Sequence, residues 1–396
     1  MILSEMAMKV LMLSQAWQIA DQPDYDVSFR NASSEGKRVE LLNIPFRGYV
    51  KKYGCEAFYN EVVRANNEFK PDLVFFQFFH SIGLGDPMAC VQSIKGSTHR
   101  PLVFGSLGDL FDTGVLRFLG RPIPHHTLRL AACSDAFFST SMGDMSDWLV
   151  KNGAQNVVFL PNAFCPMHFP GWDSEDETDK EYGIVMLCSN AKLLSRFPIR
   201  AFNNTFRRRC VVNRLAAHFG ADFSIFGRGW NGRTEHGTIP FKEQVNLYRK
   251  GRVVIDAPAP IINATYYSSD RAFFMLGSGR PLVHFHTPRF EKMLRPNEHV
   301  FYVNDAKEAE RICEKLLKLS DDYLHERHRK IVAFIKEGHL IDHRIDTIIS
   351  VAEAIKRVRC GSVSPESALG MVRMWHFLPE VNLREEYEYA VANWNG

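Results

Sequence analysis

FSIFGRGW at residues 223–230, GTIPFKEQVNLYRKGRVVIDA at 237–257 and NATYYSSDRAFFMLGSGRPLVHF at 263–285 decide the fold. Each contains a short apolar run that reads as a buried strand, and glycine-broken turns follow the first and precede the last. Ser268-Ser269-Asp270-Arg271 reads as the opening of a helix that runs to Gly277 and Gly279. Helix N-terminal amides favour an anion, and an arginine beside them can hold phosphate oxygens bidentately. The stretch therefore predicts a pocket for a phosphorylated ligand.

Outward from this stretch the same grammar recurs. GIVMLCS (183–189), DFSIFG (222–227), RVVIDA (252–257), PLVHF (281–285) and VFYVN (300–304) read as strands. Helices are expected over 206–219, 241–250, 271–276 and 306–319, with a long helical pattern over 322–359. Toward the N-terminus, KVLMLS (9–14), RVELLNI (38–44), DLVFFQFF (72–79), PLVFGS (101–106), AFFSTS (136–141) and NVVFLPNA (156–163) form an earlier set, with helices over 57–68 and 143–152. Strands apolar on both faces and alternating with helices predict parallel sheets covered on each side. The expected fold class is α/β, with two doubly wound Rossmann-like domains facing a central cleft. The acidic GWDSEDETDKEYG (171–183) reads as a linker. The expected division is thus 1–172, 183–355 and an aromatic-rich C-terminal segment, 356–396, packed back on the domains.

With 396 residues the chain can bury two cores. A net charge of +3 gives no general basic surface for nucleic acid, although Arg207-Arg208-Arg209 concentrates charge locally. The eight cysteines include no C-x-x-C pair, which argues against a zinc or redox motif and for a reducing, cytoplasmic setting. The sequence carries no apolar run long enough to span a bilayer and no leader pattern, so a soluble protein without a membrane span is expected.

Gly227-Arg228-Gly229-Trp230, Gly237-Thr238-Ile239-Pro240, Tyr248, Ser268-Ser269-Asp270-Arg271 and Gly279-Arg280-Pro281-Leu282-Val283 stand in one order and spacing. In these the chain resembles group-one glycosyltransferases of the GT-B fold, in particular the subgroup related to spore-maturation glycosyltransferases. The likeness spans residues 70–350 and includes GHLIDHR at 338–344, similar to the family's H-T-x-x-x-R ending. It implies a nucleotide-sugar site in the second domain, an acceptor site in the first, a UDP-sugar as co-substrate, and no cofactor or metal. The family's helix after S-x-x-R carries a glutamate for the donor ribose. Here Phe274 stands at that position, with Phe273 beside it.

Arg271 leads the candidate donor-binding residues, followed by Ser268, Ser269, Asp270, Arg228, Gly229 and Tyr248. Ser189 and Arg196, in the loop after GIVMLC, join them, with Asn190 and Arg200 nearby. Tyr248 and Trp230 also fit core packing, and Ser268 and Ser269 also fit a helix cap. The triple arginine also fits a solvated helix face. An acceptor hydroxyl must shed a proton, and His80 and Asp109, each after a first-domain strand, are the candidate catalytic residues, ahead of Asp112. Asp24-Tyr25-Asp26 and His125-His126 resemble metal motifs but lie in loop contexts. Asn162 follows the last first-domain strand. The expected activity is metal-independent transfer of a sugar from a nucleotide-diphosphate sugar to an acceptor hydroxyl. The acceptor could be a glycan, a small molecule, a protein or a hydroxymethylated DNA base. The rival readings are a non-catalytic nucleotide-sugar binder and a sugar epimerase of the same fold.

Overall fold

A computed structural model describes residues 8–79, 85–108, 125–174, 179–190, 198–230, 236–258, 264–267, 269–374, 376–378 and 389–396. The principal strands in chain order are β1 (Lys9–Ser14), β2 (Glu40–Pro45), β3 (Leu73–Phe76), β4 (Leu102–Leu107), β5 (Ala136–Ser139), β6 (Val157–Phe159), β7 (Tyr182–Leu187), β8 (Phe223–Phe226), β9 (Gly251–Ile255), β10 (Leu282–Phe285), β11 (Val300–Val303) and β12 (Val391–Ala392). They divide between two compact units, one of residues 1–110, 121–161 and 341–396, the other of 111–120 and 162–340.

The first unit holds a seven-stranded sheet in the order β12-β6-β5-β4-β3-β1-β2. All pairs are parallel except β12, which runs antiparallel to β6 with Val391 opposite Val158. The central strands are buried on both faces, as LVFF at 73–76 shows. Covering helices bury one stripe each: Cys55–Phe69 inserts Phe58, Val62 and Ala65 and stops at Lys70, whose φ of 50° ends the helix. Fully burying each such Phe or Val contributes about 1.5–3 kcal/mol.

The second unit holds a five-stranded, all-parallel sheet in the order β8-β7-β9-β10-β11. Its core joins β7, β8 and β9 to Val211, Val212 and Leu215 of the helix Pro198–Phe219. The chain leaves β7 for β8 on one side and then returns to β9 on the other, so the order reverses beside β7. Register makes the strand ends level, with Leu187 opposite Phe226 and Met186 opposite Ile255.

The units do not divide in the acidic stretch. Residues 171–174 belong to the second unit because Arg249, almost wholly buried, donates to the carbonyls of Gly171 (3.2 Å), Trp172 and Ser174 (3.5 Å). His328 Nε2 adds a contact to Ser174 O at 2.9 Å. Replacing Arg249 by methionine strands these carbonyls. The expected cost is about 3 kcal/mol of second-unit stability, together with faster proteolysis after Gly171, both readable by urea melts and limited digestion.

The long helical pattern also splits. One helix ends at Gly338 in the second unit, and another, Ile341–Arg359, belongs to the first. The second is buried over most of Ile341–Ile355, and its buried Arg344 donates to Pro161 O at 3.0 Å while stacking on Phe377. The described residues of 356–396 pack into the first unit, where Asn395 N donates to Asn156 Oδ1 at 2.7 Å beside the β12–β6 ladder.

Candidate functional site

In an open parallel sheet, ligands bind beyond the strands' carboxyl ends where the strand order reverses. In the second unit that place lies beyond β7 and β9, where the chain presents Cys188-Ser189-Asn190 and Asp256. Two glycines let the turn after β8 lie directly on the first of these loops. Gly227 has φ 129° and a Cβ there would sit 2.2 Å from Cys188 O, while one at Gly229 (φ 84°) would sit 2.6 Å from Asn190 O. Asn190 N donates to Arg228 O at 2.8 Å and Asn190 Nδ2 to Gly229 O at 2.8 Å. Trp230 is buried and donates Nε1 to Cys188 O at 2.7 Å, so its indole packs as part of the core.

Two arginines enter this neighbourhood. Arg271 stands at the second position of the helix Asp270–Gly277, and Arg208 projects from Pro198–Phe219 with Nη1 3.4 Å from Ser189 O. Both are half-buried. Their Nε atoms and the Tyr248 hydroxyl are buried with no hydrogen-bond partner among the described residues. Buried polar groups rarely stay unsatisfied, so this cluster suits a ligand rich in acceptors. Burial pulls the Arg271 guanidinium down, but Asp256, Tyr248 and Asp270 outweigh it and hold it above its ordinary value. Arg208 goes the other way, since burial lowers it and the Arg271 charge adds to the effect. Asp270 keeps an exposed edge, yet surrounding protein raises its carboxyl against the lowering by Arg271. Its Oδ1 accepts from Arg271 N at 2.8 Å. Positive charge is thus held by partly desolvated groups, where it acts more strongly on an anion than it would in water.

Asp256 is buried and its Oδ1 accepts from Ala257 N at 2.7 Å. His284 Nε2 lies 3.4 Å from Asp256 Oδ2, and burial holds His284 below its usual pKa, hence neutral. Burial likewise lowers His328, and takes His299 from 6.5 to about 4. His299 Nδ1 accepts from Arg295 N at 3.1 Å, which needs the neutral ring. A histidine with a folded pKa below its unfolded one binds more protons when unfolded. Stability is therefore full above about pH 6.5 and falls toward pH 4. Thermal melts across that range are expected to show the second unit losing stability with acid, and His299→Gln to flatten the slope.

The sequence candidates fall unevenly. Arg271, Ser269, Asp270, Arg228, Gly229 and Ser189 lie in the loops beyond β7 and β8 and at the helix start, with Arg228 and Ser189 exposed. Ser269 occupies the N-cap position, but its hydroxyl caps no amide. Tyr248 is completely buried, so its ring packs in the core while its hydroxyl stays near the charge of Arg271. His80, Asp109, Asp112, Ser268 and Arg196 lie outside the described residues. Arg280, in the Gly279-Arg280-Pro281 motif, is fully buried and donates Nε to Arg249 O at 3.1 Å, a role in the core. Arg208 and Asp256 were missed. Arg208 precedes Val211 and Val212 by three and four residues, on the stripe that faces the sheet, and that spacing was the available signal.

Phe274 has a definite environment. Its ring lies 5.0 Å from Phe169, 5.4 Å from Phe241 and 6.5 Å from Phe164. A carboxylate amid these rings would be buried without a counter-charge, so this packing suits phenylalanine and not the family's glutamate.

No group of three or more His, Cys, Asp or Glu side chains suited to a metal ion occurs among the described residues. No helix among them is long and apolar enough to cross a membrane. Residues 207–350 match a family model described as glycosyl transferase-like. No curated protein matches the sequence. Among solved structures, a glycosyltransferase from Rickettsia africae is 7% identical with a TM-score of 0.54, over 88% of this chain and 99% of that one. The α,α-trehalose 6-phosphate synthase from Burkholderia multivorans is 12% identical with a TM-score of 0.53, over 91% and 100%. Anabaena HepE in complex with UDP is 10% identical with a TM-score of 0.50, over 90% and 100%. The chain therefore has the GT-B fold of two Rossmann-like units, and residues 207–350, all but the last ten of them in the second unit, carry the glycosyl transferase-like sequence pattern.

Proposed function

We propose that the chain is a glycosyltransferase that moves a sugar from a nucleotide-diphosphate sugar to an acceptor hydroxyl. One observation carries this reading: Arg271 and Arg208, each with an unpartnered buried Nε, meet beyond the reversal point of a parallel sheet, inside the segment matching the glycosyl transferase-like model. The bond between the anomeric carbon and the diphosphate breaks as one to the acceptor oxygen forms. Negative charge grows on the leaving diphosphate, and the two guanidinium groups stabilise it there. Arg228, Gly229, Ser189, Arg196 and the Ser268-Ser269-Asp270 helix start are proposed to complete the diphosphate cradle. His80 or Asp109 takes the acceptor proton.

Since the arginines supply the positive charge, transfer is proposed to need no metal ion, and a chelator should leave turnover unchanged. The UDP complex of HepE makes uridine the first nucleotide to test. A thermal-shift series with uridine, guanosine, adenosine and thymidine diphosphates should raise the melting temperature for at least one, because a ligand of the folded state stabilises it. No response to any of them overturns the donor site. The packing of Phe274 favours a second reading, a nucleotide-sugar binder without turnover. A thermal shift with no release of free nucleoside diphosphate, with or without acceptors, would decide for that binder.

A further inference from the structure

Trp17, just beyond the carboxyl end of β1 in the first unit, is 50% exposed, and Ile19 beside it is 44% exposed. The loop is built to present them. The N–H groups of Trp17 and Gln18 donate to Asp21 Oδ2 at 2.9 and 3.2 Å. Gly48 N donates to Ala16 O at 3.2 Å, and a Cβ on Gly48 would stand only 1.9 Å from Trp17 O. The loop thus lies directly against the helix Phe46–Tyr53. Arg47 and Lys51, one turn apart on that helix, stand 4.9 and 5.1 Å from the Trp17 ring centre. Lys52 stands 4.8 Å from the ring of Tyr53, which is 54% exposed. Arg47, Lys51 and Lys52 are exposed, and none makes an ion pair with a carboxylate among the described residues.

We propose that this patch docks on the surface of an anionic phospholipid bilayer. Tryptophan and tyrosine settle at the boundary between headgroups and acyl chains, and unpaired basic side chains beside them are attracted to acidic headgroups. Ile19 adds an aliphatic group that lipid can bury. Nucleic acid fits less well: isoleucine offers no face on which a base can stack, and three cations fall short of the roughly 6–10 phosphate contacts of a duplex-binding protein. The loop also lies beyond the reversal point of the first unit's sheet, where the proposed activity would place its acceptor, but vesicle binding is read without turnover, so the two can fail separately.

The test sediments the full chain with phosphatidylcholine vesicles, with and without phosphatidylglycerol, at low and high salt. Binding is expected only with phosphatidylglycerol, falling with salt. Arg47→Ala, Lys51→Ala and Lys52→Ala should each weaken it by about fivefold. Brominated acyl chains should quench tryptophan emission on binding, and Trp17→Phe should remove most of that quenching while sedimentation persists. The proposal is overturned by no sedimentation with phosphatidylglycerol at low salt. A folded R47E/K51E/K52E variant that binds like the parent also overturns it, as does duplex DNA held more tightly than the vesicles through the same residues.

Discussion

Arg271→Ala is expected to lower the turnover number for sugar transfer by about a hundred- to a thousandfold, the usual loss when a preorganised charge stabiliser is removed. The effect should fall on kcat more than on KM, because the diphosphate gains its charge as the bond to the sugar breaks. Arg271→Lys restores a positive point charge but not a bidentate grip, so partial recovery is expected. Asp256 is the foremost opposing charge on Arg271, so truncation leaves that buried carboxylate without this partner, and the second unit should melt earlier. Steady-state release of nucleoside diphosphate, measured beside a thermal melt, separates the two effects. Parental turnover in a folded Arg271→Ala protein would remove this residue from the chemistry.

Gly227→Ala is expected to destabilise the second unit by about 3 kcal/mol or more, combining backbone strain with overpacking. The strain arises at φ 129°, and the added methyl would lie 2.2 Å from Cys188 O and 2.7 Å from Cys188 C. Both are backbone atoms and cannot swing aside. The same Cys188 carbonyl accepts from Trp230, so relief would also pull the indole from the core. Gly237→Ala is the control, since its φ is 76° but nothing lies within 4 Å of the added carbon. It should cost only about 1 kcal/mol. With two units, a denaturant melt can show two transitions, and only that of the second unit should move.

Much of the fold was legible because parallel strands buried on both faces must be continuous apolar runs. VVF at 157–159 and RVVI at 252–255 could be read as such without any partner in view. The unit boundary was not legible. Composition marks 171–183 as polar, but Gly171, Trp172 and Ser174 are held through backbone carbonyls, which every residue has. Their partners, Arg249 and His328, are 75 and 154 residues away from Ser174. The helix break near Gly338 was hidden for a related reason, as apolar periodicity continues on both sides while the stripes cover different cores. At the site, Arg271 was legible from its helix start. Arg208 was obscured by two neighbouring arginines, and Tyr248 looked available because aromatic residues fit pockets and cores equally well.

The two units differ in how far apart their contacts lie along the chain. Among the described residues, the second is formed by one continuous stretch of the chain. The first must join Ser34 to Glu353 across 319 residues, and β6 to β12 across more than half the sequence. During synthesis the second unit can therefore complete its sheet while the first still waits for the helix Ile341–Arg359 and for β12. Until these emerge, the β6 edge and the surface of the helix Pro23–Asn31 remain uncovered, which makes the first unit the slower and more chaperone-dependent half of the protein.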